Sequence, residues 1–265
     1  MYSHIDKEFN SNKKKRIKRY SKNSKLKRII NQYNSITAIE KYTYNFEWLG
    51  VPVIQYPDDL LLVQEIIYKN NPDLIIEAGI ARGGSLIFYS SLLEILGNKK
   101  SRVLGIDLDI RKHTKDVIRN HPMSKKIISI QGSSIDKKIF SKVKNIAKKF
   151  KKIIVVLDSL HTHKHVLEEL NLYSKLVTKK SKIIVFDTSV HNFSYATLKK
   201  LKKNYNYDDW GKNRNPFTAI IEFLKKNKNF REDSSFRYKS FASNLYRSVL
   251  TKVKWNQLYN MNVLL

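Results

Sequence analysis

From residue 57 onward the chain alternates between two hydrophobic patterns. Short aliphatic runs recur at residues 73–78 (DLIIEA), Arg102–Asp107 (RVLGID), 126–131 (KIISIQ), 152–158 (KIIVVLD) and 182–187 (KIIVFD). Each is bounded by polar, Gly or Pro residues and reads as a buried strand. Between them lie stretches with apolar residues at helical spacing, over residues 85–96, 111–120, 136–150 and 164–177. A helix over 60–70 precedes the first strand, with Asp58 and Asp59 just before it at its positive end and Asn71-Pro72 closing it. After the fifth strand come a helix from about residue 194, an Asp208-Asp209-Trp210-Gly211 turn, a helix over 215–226 and a final strand over 236–246. Aliphatic strands alternating with amphipathic helices predict an α/β fold: a mostly parallel sheet with helices on both faces.

The N-terminal region breaks this pattern. Residues 11–28 carry ten basic side chains and no acidic one, with too few apolar residues to bury a face. We read 1–41 as a basic arm, flexible or helical, and 42–265 as a single domain. Residues 42–58 (YTYNFEWLGVPVIQYPD) are aromatic and contain proline, as expected of an ordered segment that covers a core or a site.

Composition sharpens the picture in three ways. Zero cysteines exclude disulfides and thiolate chemistry. No apolar run reaches the ~20 residues that span a bilayer, and the N-terminus lacks an apolar signal region, so a cytoplasmic chain is expected. The balance of 51 basic to 23 acidic residues attracts polyanions or anionic lipid, although an AT-rich genome produces the same excess of lysine and asparagine. A membrane contact through residues 11–28 at the inner face is therefore one expectation; a specific nucleic-acid partner is not expected, because no such module is recognisable.

The chemistry gathers at the predicted strand ends. Of eight glycines, three fall in Gly79-Ile80-Ala81-Arg82-Gly83-Gly84-Ser85, a turn between strand and helix. Its order, G-x-x-x-G-G without a lysine before the serine, fits neither a Walker loop nor a dinucleotide fingerprint. It suits S-adenosylmethionine. On this reading Glu77, Gly79, Arg82, Gly83, Gly84 and Ser85 hold the amino-acid end of the donor, Asp107 accepts from the ribose hydroxyls, and Ser133 and Ser134 reach the adenine edge. Acids end four of the five strands (Glu77, Asp107, Asp158, Asp187), which is costly unless they face a polar cleft. Asp158-Ser159-Leu160-His161-Thr162-His163-Lys164-His165, together with Asp187, offers carboxylates for Mg²⁺ and His161 as a general base. The rival is an Fe(II) hydroxylase site made of Asp158, His161 and either His163 or His165.

These motifs carry a resemblance. WLGVPVIQYPDDL, IIEAGIARGGS, VLGIDLDIRKH, QGSSID, VLDSLHTHKHVLEEL, VFDTS, DDWGKNRNPFTAIIEFL and FREDSSFR occur in that order. The ordered set, over about residues 42–246, resembles the cephalosporin hydroxylase / rhamnosyl O-methyltransferase family. The resemblance implies a Rossmann-like class I methyltransferase fold and S-adenosylmethionine as donor. It also implies a divalent metal on Asp158 and Asp187, and a sugar hydroxyl in a glycolipid or surface polysaccharide precursor as acceptor; a homo-oligomer is a separate expectation. Phe186 stands where the family often has a glutamate, so one implied ligand is absent.

Overall fold

The structure, a computed structural model, describes residues 7–205 and 211–253. Two helices, α1 (Lys7–Lys22) and α2 (Ser24–Ile39), form the basic arm, with Asn23 capping α2 through Leu26 N. No side chain of α1 is buried. One face of α2 meets the body of the protein: Asn34 is buried, and Ala38 and Ile39 pack on a small cluster of Val190, Phe193, Leu198 and Leu201. Another face presents Ile29, Tyr33 and Ile36, at i, i+4 and i+7, to solvent.

A hairpin of β1 (Glu47–Trp48) and β2 (Val51–Pro52) follows, anchored where Trp48 packs edge-on against Phe88 and donates to Ser91 Oγ at 3.0 Å. The main unit then alternates strand and helix: α3 (Pro57–Asn70), β3 (Leu74–Ala78), α4 (Gly84–Ile95), β4 (Arg102–Asp107), α5 (Lys112–Asn120), β5 (Ile127–Gln131), α6 (Lys137–Ala147), β6 (Ile153–Leu157), α7 (His163–Tyr173) and β7 (Lys182–Val185). It closes with α8 (Tyr195–Tyr205), α9 (Pro216–Lys226), β8 (Phe230–Glu232) and β9 (Val249–Lys252). The sheet runs β5-β4-β3-β6-β7-β9-β8, parallel from β5 through β7, with β9 alone reversed and pairing antiparallel to both β7 and β8.

Strand alternation divides the core in two. Leu74, Ile76 and Ala78 of β3 face α6, α7 and α9, whereas Ile75 faces α3, α4 and α5. This is the class I methyltransferase architecture, and it places the parallel strands' carboxyl ends along one edge.

One predicted element is corrected. Residues 236–246 form no strand; the antiparallel pair is Phe230–Glu232 with Val249–Lys252. The reason lies in how the intervening residues use their polar groups: buried Asp59 accepts from Ser243 Oγ and, at 2.7 Å, from Asn244 N. That engagement takes this segment's backbone out of any ladder. The Asp208-Asp209-Trp210-Gly211 turn lies outside the described residues up to Trp210; Gly211 pairs with Arg214.

Candidate active site

A cavity of about 490 Å³ opens along the carboxyl edge of the parallel strands. Gly79 and Ala81, after β3, line it. Gly79 sits at φ +100°, and a Cβ there would stand 2.0 Å from the Asp158 carbonyl oxygen, so the turn after β3 lies directly on the end of β6. A Cβ on Gly84 would meet the Pro52 carbonyl at 2.3 Å, so this glycine admits the β1–β2 hairpin against α4. Gly83 and Gly84 are buried at the start of α4 and stay out of the cavity lining.

Asp107 Oδ2 accepts from Ile80 N (2.8 Å) and Ala81 N (3.1 Å), and Oδ1 from Asp109 N (3.1 Å). It therefore braces the glycine turn while also lining the cavity. Ser133 and Ser134 line the same end. Arg82 points outward, 2.7 Å from His113 Nε2.

Glu77 and Ser85 lie elsewhere than the sequence reading put them. Glu77 shares the parity of Ile75 on β3, so it faces α4, fully buried, accepting from Ser85 Oγ (2.6 Å) and Tyr89 OH (2.9 Å). Burial, and then Asp107, push its pKa up to about 8. The pair supports the turn from beneath instead of lining the cavity.

Asp158, His161 and Asp187 come together, each offering one ligand atom, all within 4.8 Å of one another. His161 Nε2 is 3.1 Å from Asp187 Oδ2. Loss of water, followed by repulsion from Asp187, Glu77 and Asp59, drives Asp158 well above the ordinary carboxylate range. Gln55 Nε2 donates to Asp158 Oδ2 at 2.7 Å, while Gln55 Oε1 is buried without a partner. Two mutually repelling carboxylates, an imidazole and an orphaned amide oxygen nearby make a donor set that fits a hard divalent cation. Phe186 is 1% exposed and packs in the core, so the position before Asp187 supplies no ligand.

Asp187 itself has φ +54°. Its turn is held from outside: Thr188 Oγ1 donates to Asn244 O (2.9 Å) and accepts from Tyr246 N (2.7 Å), and Ser189 Oγ reaches Asn244 Oδ1 (3.2 Å). Asp59, its pKa pushed up to about 8 by burial, fixes Ser243 and Asn244.

The two-histidine iron site is not assembled. His163 turns to α9, with Nδ1 2.7 Å from Thr218 Oγ1 and Nε2 3.0 Å from Glu222 Oε2. His165 turns to Ser134 and Glu169. Neither joins Asp158 and His161, because the first turn of α7 rotates both rings onto its own neighbours.

Beyond Asp158, His161 and Asp187 the cavity becomes apolar, walled by Ala38, Tyr44, Val190, Phe193 and Leu201. One space thus joins a polar end at β3–β5, a carboxylate–imidazole centre and an apolar end under α2 and α8. Sequence reasoning missed Gln55, Asp59 and Glu169. Their only signal was a polar residue inside an otherwise apolar or helical stretch.

A model of the family described as rhamnosyl O-methyltransferase/CmcI matches residues 40–253. The chain belongs to this family. The rhamnosyl O-methyltransferase of Mycobacterium leprae (strain TN) is 28% identical over 145 residues, covering 54% of this chain and 61% of that protein. That of Mycobacterium tuberculosis (strain ATCC 25618 / H37Rv) is 26% identical over the same length, covering 54% and 57%. The match therefore spans less than two thirds of these relatives. Among solved structures, the apo structure of CmcI superposes with a TM-score of 0.56 at 20% identity over 80% of this chain and 77% of that one. CmcI with Mg and SAM gives 0.54 at 19% identity, over 80% and 78%. These superpositions establish the family's shared fold.

Proposed function

We propose that the chain is an S-adenosylmethionine-dependent O-methyltransferase that methylates a sugar hydroxyl in a glycolipid, a surface polysaccharide precursor or a related small molecule. The observation that carries this is the single cavity in which the glycine turn, Asp107 and Ser133–Ser134 lead directly to Asp158, His161 and Asp187. Family membership supports it, as do the names of the mycobacterial relatives and the donor in the CmcI complex.

The polar end binds the donor, with its sulfonium near the acids of the centre, whose negative charge favours the cation. The acceptor enters from the apolar end, and its hydroxyl oxygen lies in line with the methyl carbon and departing sulfur. Oxygen attacks carbon, the carbon–sulfur bond breaks, and its electron pair leaves on the thioether of S-adenosylhomocysteine. The hydroxyl proton passes to the imidazole of His161, and Asp187 stabilises the imidazolium. Alignment in one cavity supplies much of the rate.

Asp158 and Asp187, with water completing the set, would hold Mg²⁺. When bound, the cation lowers the pKa of a ligating hydroxyl. Basic residues 11–28 supply a peripheral contact with an anionic membrane at its cytoplasmic face. Calorimetry with S-adenosylhomocysteine tests the donor assignment: micromolar binding supports it, and no heat at concentrations far above that rejects it.

A further inference from the structure

Three polar groups on the cavity wall converge on one buried oxygen. Glu169 of α7 is fully buried, and its Oε1 accepts from Ser134 Oγ at 2.5 Å and from Ser159 Oγ at 2.7 Å. His165 Nε2 lies 3.3 Å from that same oxygen and 3.1 Å from Ser134 Oγ. Tyr173 OH donates to the Ser134 carbonyl at 2.9 Å and fixes the backbone there. The other carboxylate oxygen, Oε2, is buried and has no hydrogen-bond partner. Ser134, Ser159 and His165 all line the cavity; Glu169 stands behind them.

A serine hydroxyl has one proton and two lone pairs, and in a wet site it rotates to suit whatever approaches. Here it has no such choice. A carboxylate taken out of water is costly to leave unpaired, and one of its oxygens is already bare, so both hydroxyl protons stay on Oε1. Lone pairs are what remain for the cavity. A wall that sequence alone shows as two ordinary serines is thereby restricted to accepting hydrogen bonds.

We propose that Glu169 is a positioning residue that makes the Ser134–Ser159 wall an acceptor, so that it selects a nucleoside whose base presents an amino group over one that presents a carbonyl. The inference rests on the donor reading above and names what recognises the base. Adenine, with its 6-amino group, meets this wall with a donor. Hypoxanthine, with a 6-oxo group, meets lone pairs with lone pairs. To bind, it must turn a hydroxyl away from Glu169 and strip the buried carboxylate further.

The test is calorimetry of the full chain with S-adenosylhomocysteine and with S-inosylhomocysteine. The wild-type chain is expected to bind the adenosyl compound at least about tenfold more tightly. In Glu169→Gln the amide can donate to the serines and release their protons toward the cavity; the preference should fall to within about threefold, with a cooperative thermal transition retained. A residue that only supported the fold would weaken both ligands alike and leave the ratio unchanged. If Glu169→Gln does not fold, Ser134→Ala serves: it should weaken the adenosyl compound several-fold more than the inosyl one. Equal affinity of the wild-type chain for the two compounds overturns the proposal while leaving the donor reading intact, as does a ratio unchanged in the variant that folds. Binding of neither compound overturns both.

Discussion

The histidine–carboxylate contact at His161 and Asp187 can be tested apart from donor binding, because Asp107 spends its carboxylate on the backbone of the glycine turn. His161→Ala should lower methyl transfer by about 10²–10⁴-fold and leave affinity for S-adenosylhomocysteine within a few-fold, read by product formation and calorimetry on one preparation. Glu77 gives a prediction in pH. Its folded pKa of about 8 lies above the usual carboxylate value, so between about 4.5 and 8 the native chain keeps a proton that the unfolded chain has released. Its contribution is whole below that window and is lost as pH rises through it, with a slope of at most about 1.4 kcal/mol per unit. Denaturant midpoints of Glu77→Gln measured from pH 5 to 8 should fall less steeply than those of the wild type. Gly79→Ala would force a Cβ into the Asp158 carbonyl at a positive φ, and should cost more than about 2 kcal/mol in chemical unfolding. Asp107, Asp158 and Asp187 were legible as cavity acids because aliphatic runs point to them, whereas Glu77 ends such a run but faces α4. Gln55 and Asp59 were not legible, since their partners lie 103 and 184 positions away and nothing local marks the pairing; Glu169 has His165 one turn before it, but the two serines it joins come from different strand ends.

The strand and helix elements of the parallel sheet follow from their periods: β3, β4, β5, β6 and β7 are aliphatic runs and form as read. The final strand was misplaced because residues 236–246 have strand-like composition yet satisfy their polar groups through Asp59 and Thr188. What distinguishes them is a tertiary partner, which a local period does not contain. This segment also clamps the turn at Asp187. Asp59→Ala should therefore destabilise the chain by about 1–3 kcal/mol and reduce methyl transfer more than donor binding, because it frees Asn244 and with it the 188–189 turn. A thermal melt beside a binding isotherm separates the two effects.

At the scale of the molecule, charge and shape point the same way. The ten basic residues of 11–28 run into a helix that shows Ile29, Tyr33 and Ile36 to solvent, and the end of that same helix, at Ala38, walls the apolar end of the cavity. Among the described residues no helix is long and apolar enough to cross a membrane; the contact proposed for this face is with a membrane surface. Replacing Ile29, Tyr33 and Ile36 by glutamate should abolish co-sedimentation with vesicles containing anionic lipid, and wild-type binding should fall as salt rises. Binding unchanged by the substitutions would reject the contact. The late position of β9 and of the loop before it has a consequence for synthesis. The glycine turn, Asp107, Ser134 and Glu169 are all in place once α7 has been made. The hydrogen bonds that residues 244 and 246 make to the turn carrying Asp187 form late, and β7 lacks its antiparallel neighbour until residue 252 has emerged. A growing chain thus completes the half proposed to hold the methyl donor well before the half proposed to spend it.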